Sequence, residues 1–305
     1  MPDKVNLKTK EIFSRLKTHL NKKNLVFIVL TLAALKMCFE PLINLILFSS
    51  KSGYYSHIMS VPFISGYLIY RKRKVIFFNP EYSNVAGIFT LGLGVLISFI
   101  GMGTKAKFSQ NDYASFITFS ALIFWIGAFI LLYGVNAFKK ALFPLLFLAF
   151  MIPIPNLLMD KIVHALMVGS TWFTYILFRV AGIPFTKDGF IFHCPGLNIE
   201  IAEQCSSIRS SISFLLCSIL AGHLFLSTQW RRIVFIIIFM PVTILKNSIR
   251  ILVLSYVALY IGRKSIALQF FHEFGGIIFF ILFMIIMGII LLWLKRSERN
   301  TEGVK

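Results

Sequence analysis

The sequence predicts an all-α polytopic membrane protein of about eight transmembrane helices, with an interfacial helix and a short extracytoplasmic β-hairpin. Three observations predict it. The 305 residues are 57% hydrophobic and include 33 Phe. Apolar runs approaching the ~20 residues that cross a bilayer recur along the chain. Lys and Arg cluster between those runs rather than within them.

Residues 1–24 carry seven Lys or Arg, and among them Ile12, Leu16 and Leu20 recur every four residues. That is the pattern of an amphipathic helix lying on the cytoplasmic membrane surface. No small-residue cleavage site follows Leu25–Leu35 before Lys36, so the segment does not read as a cleaved signal peptide. Spans are predicted over 25–48, 55–70, 84–103, 113–134, 138–154, 206–226, 232–260 and 273–294. Together 25–294 reads as one transmembrane domain, and 295–305 as a basic cytoplasmic tail. Lys36 and Glu40 stand one helical turn apart inside the first span, a spacing that suits an ion pair.

A net charge of +19 invites a nucleic-acid partner. Its distribution argues for the membrane instead. Arg71–Lys74, Lys139–Lys140, Arg231–Arg232 and Lys295–Arg296 all fall between spans, where basic residues mark cytoplasmic loops. Keeping every cluster inside gives two cytoplasmic termini and a multi-pass topology in a cell membrane, and argues against a nucleic-acid partner. The segment Lys161–Ile183 is apolar enough to cross, but an extra crossing would export one of the flanking basic pairs. It is therefore expected at the outer interface or within the bundle, after the helix-breaking Pro153–Asn156. The hairpin is expected over about 184–203, where Lys187-Asp188-Gly189 reads as a turn and Leu197–Glu203 alternates apolar with polar residues.

Helical rise serves as a ruler for the late spans. At ~1.5 Å per residue from Arg232, the seventh span reaches its outer portion near Lys246, Asn247 and Arg250. The last span ends inside at Lys295, so its outer end lies near His272 and Glu273, while Cys205 opens the sixth span on the same side. Three elements thus deliver a thiol, a guanidinium and an imidazole to one depth. Ionisable groups in hydrocarbon are costly and usually mark function or a satisfied pair. A helix N-terminus and a nearby cation both favour a thiolate, an imidazole suits a general base, and a guanidinium suits an oxyanion. This is the equipment of thiol acyl transfer, with an active site facing outside.

The motifs that carry this equipment, "EQCSSIRS", "NSIR" and "HEFGG" in that order on successive late helices, resemble the exosortase/archaeosortase family of integral-membrane cysteine transpeptidases. Pro153–Pro155, the hairpin region and "YSHIMSVPFISGYLIYRKR" around the second span are similar too, so the likeness runs from Tyr55 to His272. The resemblance implies Cys205 as nucleophile, Arg250 as the substrate-binding or transition-state cation and His272 as acid/base. Glu203 and Asn247 are implied as supporting residues; Ser206 and Arg209, beside the cysteine in sequence, are read as supporting or substrate-binding, with Arg209 alternatively catalytic, paired with Glu203 or snorkelling. It further implies partners: secreted proteins ending in a short motif, a hydrophobic span and a basic tail, with a lipid-linked or surface glycan as acceptor. Ser207 departs from the family pattern, standing where glycine is usual after Cys-Ser, which bears on how closely a substrate backbone approaches.

Several alternatives stay open at this stage. Cys194 could pair with Cys205 outside the membrane. His57 could rival His272 as base. The chain could be a transporter lined by Lys246, Arg250 and Glu273, or a structural subunit of an exopolysaccharide or secretion assembly, although no internal repeat is visible. No metal-ligand spacing and no Gly-rich phosphate loop stand out, so no metal or other cofactor is expected.

Overall fold

The computed structural model describes residues 22–48, 55, 57–78, 83–202, 208–262, 265, 269–270 and 274–302. It divides into two compact units, residues 1–156 and 157–305.

The first unit contains α1 (Lys22–Phe48), α2 (Ser60–Arg71), the short α3 (Arg73–Ile76), α4 (Asn84–Gly103), α5 (Gln110–Lys140) and α6 (Leu142–Phe147). Helices α4 and α5 lie against each other through glycines. A Cβ on Gly94 would come within 2.5 Å of the Phe124 backbone, and Cβ atoms on Gly87 and Gly127 would overlap Leu131 and Leu91. Small residues are what let apolar helices approach this closely in a membrane, where burial against lipid gives no net drive. Near its end α5 kinks at Gly134, whose φ of 86° is open to glycine and strained for other residues. On the opposite side of α5, Phe27, Phe77, Trp125, Phe129 and Tyr133 form one aromatic cluster. Its polar tips are satisfied: Trp125 Nε1 donates to Thr31 Oγ1 at 3.0 Å and the Tyr133 hydroxyl to Asn24 Oδ1 at 3.0 Å.

The second unit contains α7 (Asn156–Val180, beginning at the last residue of the first), strands β1 (Thr186–Asp188), β2 (Ile191–Cys194) and β3 (Leu197–Glu200), then α8 (Ile208–Phe225), α9 (Gln229–Tyr256) and α10 (Gly275–Glu302). Helices α8, α9 and α10 share a core of Phe214, Leu226, Phe235, Phe239, Phe283, Met287, Leu291 and Leu294. The strands form an antiparallel meander in the order β1-β2-β3, pairing Lys187 with Phe192 and Phe192 with Ile199. Its apolar side, Phe192 and Cys194 with Ile201 just beyond β3, packs on Phe178 of α7, on Ile183 after that helix and on Ile251 of α9.

The all-α polytopic reading holds, with three differences in detail. Among the described residues six helices are long and apolar enough to cross a bilayer: Lys22–Asn44, Asn84–Gly103, Gln110–Lys140, Asn156–Val180, Gln229–Ile261 and Gly275–Arg299. The expected second and fifth spans are shorter elements, a 12-residue α2 and the divided run Leu142–Met151, and α8 is also short at 18 residues. The segment expected at the outer interface or within the bundle is a continuous 25-residue helix, α7, long and apolar enough to cross. Keeping both flanking basic pairs inside weighs against a crossing there; Ser170, Thr171 and Thr174 are buried on one side of the helix. Third, the hairpin has an additional strand, β1, turned back at Gly189 with φ of 54°. Lys36 and Glu40 are also not an ion pair; the salt bridge found among the described residues is Arg231 to Glu298.

Candidate active site

The polar centre of the second unit is built on α9. Pro241 interrupts the run of donors near the middle of this helix, and beyond it Thr243, Lys246, Asn247, Ser248 and Ser255 are all buried. Lys246, Asn247 and Ser248 bond to neighbouring helices, whereas Ser255 donates back to the Ile251 carbonyl of α9 itself. Lys246, 3% exposed, donates from Nζ to Ser210 Oγ on α8 at 2.7 Å. The same ammonium stands 6.0 Å from the centre of the Phe214 ring, one turn further along α8. Asn247 Nδ2 donates to Ser170 Oγ on α7 at 2.9 Å, and Ser248 Oγ donates to the Ser170 carbonyl at 3.1 Å. A close approach makes these bonds possible: a Cβ on Gly169 would meet Ile244 at 2.8 Å. Polar residues thus join three helices at one level, where an unpaired group would be costly.

Arg250 lies one turn beyond Lys246 on the same face of α9 and is half-buried. The next residue, Ile251, is the α9 member of the cluster that seats the sheet. Arg250 therefore occupies the rung between the Lys246–Ser210 bond and the apolar contact with the meander.

Of the other predicted residues, Glu203, Cys205, Ser206 and His272, with Ser207, lie outside the described residues, as does the side chain of Arg209, whose backbone is in the first turn of α8. The described residues on either side of them are fixed. Ile201, fully buried against the sheet cluster, precedes Cys205 by four residues, and Ile208, 4% exposed, opens α8 three residues after it. For His272, Phe270 accepts a backbone bond from Phe274 N–H at 2.8 Å, and Gly275 opens α10. Five residues into α10, Phe280 meets Phe214 of α8 edge-on, with ring centres 6.0 Å apart. Phe214 is itself six residues into α8, so α8 and α10 begin at matching depth.

Cys194 is a free thiol on β2, buried under the sheet's apolar side. Burial pushes its pKa up, so it stays protonated and unreactive at neutral pH. His57 belongs to the first unit, half-buried in the turn before α2. His193 pairs through Nδ1 with Asn198 Oδ1 at 3.0 Å across the sheet. Among the described residues no group of three His, Cys, Asp or Glu is placed to hold a metal ion.

Sequence reasoning gave Lys246 its depth but not its partner, and it missed Ser170 and Ser210. Ser210 lies 36 positions from Lys246 and Ser170 77 from Asn247, so no local pattern announces either contact. The available signal was the run of serines in "CSSIRSSIS", too polar for a helix packed only against lipid.

A family model described as transmembrane exosortase (Exosortase_EpsH) matches residues 49–289. No curated protein and no solved structure matches the chain.

Proposed function

The chain belongs to the transmembrane exosortase family, and on that premise we propose that it is a membrane-embedded cysteine transpeptidase acting on C-terminal sorting signals. Cys205 is the nucleophile, His272 the acid/base and Arg250 the cation that holds the developing oxyanion. Glu203, Ser206, Arg209 and Asn247 support them.

One observation carries the reading more than any other. The segment holding Cys205 is short and tied at both ends to the two flanks of Arg250. Ile201 shares an apolar cluster with Ile251, and Ser210 is bonded to Lys246. An extended chain covers at most ~3.5 Å per residue. Four residues from Ile201 therefore restrict Cys205 to within roughly 14 Å of that anchor. The matched starts of α8 and α10 favour the same depth for His272.

The chemistry follows from the groups. The Cys205 thiol gives its proton to His272, and the sulfur attacks the scissile carbonyl of the substrate. Charge passes to the carbonyl oxygen, where Arg250 stabilises it without any proton transfer, because a guanidinium stays protonated. The C–N bond breaks as His272 returns the proton to the departing amine. Water, or a hydroxyl or amine on a lipid-linked or surface glycan, then displaces the sulfur. A substrate anchored by its own hydrophobic span presents its cleavage site to this depth without leaving the bilayer.

The test is Cys205→Ala in cells that make a C-terminally anchored precursor. The precursor accumulates uncleaved at normal enzyme levels. Processing at the wild-type rate would rule out the enzyme reading and leave a transporter or assembly subunit.

A further inference from the structure

A second polar pocket lies in the first unit and takes no part in the reading above. It has a volume of about 680 Å³, with walls from α1, from the end of α4 and its following turn, and from the start of α5. We propose that it binds the headgroup of an anionic membrane phospholipid, with Lys36 and Lys105 as the phosphate ligands.

The argument begins with Lys36. It sits 14 residues after Lys22 in an apolar stretch of mean hydropathy 2.0, so α1 carries it ~21 Å along its axis. A charge at such a position is expected to have a partner. Glu40 is one turn away, yet among the described residues no carboxylate makes a salt bridge with Lys36. The lysine instead lines the pocket, and so does Lys105, from the one-turn 3-10 helix that follows α4. The Lys105 ammonium is 5.4 Å from the centre of the Tyr113 ring, a cation–π contact that fixes its direction.

The charged residues lining the pocket are Lys36, Lys105 and Glu40, so two cations oppose one anion. A net +1 cavity complements a headgroup of net −1. The remaining polar lining, Asn44, Gln110 and Tyr113, together with the Glu40 carboxylate, suits hydroxyls such as those of glycerol. Met37, Phe108 and Ile117 give the same pocket an apolar wall. An amphiphile fits both halves, whereas free phosphate fits one. Asn44, ~12 Å beyond Lys36 along α1, lines the pocket together with Gln110 from the first turn of α5, and a lysine stem long enough to snorkel brings the deep ammonium toward that helix end. The ligand thus comes from the lipid phase and not from solution.

The experiment uses the full-length protein, delipidated in mild detergent, with binding read by native mass spectrometry. Phosphatidylglycerol, phosphatidylethanolamine and phosphatidylcholine are offered separately. Phosphatidylglycerol binds with preference, and Lys36→Gln and Lys105→Gln each weaken it about fivefold, the value of one lysine near an anionic lipid. Phosphatidylcholine binding is unchanged by either substitution, and the Lys36→Arg and Lys105→Arg variants retain the preference. Lys105 lies on an exposed turn outside the helix packing, so its variant tests the site even if a change at Lys36 disturbs α1. Equal binding of the three lipids, or phosphatidylglycerol binding that ignores both Gln variants, overturns the proposal. So does full competition by millimolar inorganic phosphate, which would identify a site for free anions.

Discussion

Arg250 is the residue on which the proposed chemistry can be weighed most cleanly, because its surroundings are described on both sides. Lys246 and Ser210 lie one turn away, and Ile251 holds the sheet. Removing a donor that meets developing oxyanion charge typically lowers turnover by roughly 10²–10³. Arg250→Ala is therefore expected to slow precursor cleavage by about that factor at unchanged membrane levels, measured by pulse-chase. Arg250→Lys retains the charge but not the planar fork, and recovers only part of the rate. At this scale motif order and helical rise nominate Cys205, Arg250 and His272, of which Arg250 lies among the described residues. Ser210 and Ser170 carry no such signal, because their contacts depend on the register between helices.

The elements show what maintains that register. At the end of the second unit remote from Arg250, Glu298 of α10 accepts from the backbone N–H of Ser227 at 3.1 Å and of Thr228 at 2.6 Å, and from the Thr228 hydroxyl. Arg231 adds a salt bridge to Glu298 at 3.7 Å and donates to the Ser297 carbonyl at 3.2 Å. Arg232 closes the turn through the Leu226 carbonyl at 2.8 Å. One carboxylate thus fixes the turn that leads into α9 and staples it to α10. Glu298→Gln keeps the shape and loses the charge, at a cost of about 2 kcal/mol for charge-assisted bonds. The expected result is a lower thermal midpoint of the detergent-solubilised protein, while the native enzyme still cleaves. The sequence marked Arg231–Arg232 and Lys295–Arg296 as loop charges but not this clasp, which joins residues about 70 positions apart. Element type was legible wherever apolar runs were long. It was less so in α7, where keeping both flanking basic pairs on one side weighs against a crossing, and in β1, whose three exposed residues carry no alternation.

For the whole molecule, apolar helices and family membership agree on a multi-pass membrane protein with a transpeptidase-type role. The distribution of the positive charge, clustered mostly between spans, is what favours a membrane setting over the nucleic-acid partner that the bulk charge invites. The proposed division of labour assigns acyl transfer to the second unit and lipid recognition to the first. The central claim is that a thioester forms on Cys205, and its most direct measurement is mass spectrometry of the reconstituted enzyme mixed with an anchored precursor and quenched during turnover. The account predicts a hydroxylamine-sensitive substrate adduct on the peptide containing Cys205, absent from Cys205→Ala. An adduct on another residue, or cleavage by Cys205→Ala at an undiminished rate, would contradict it.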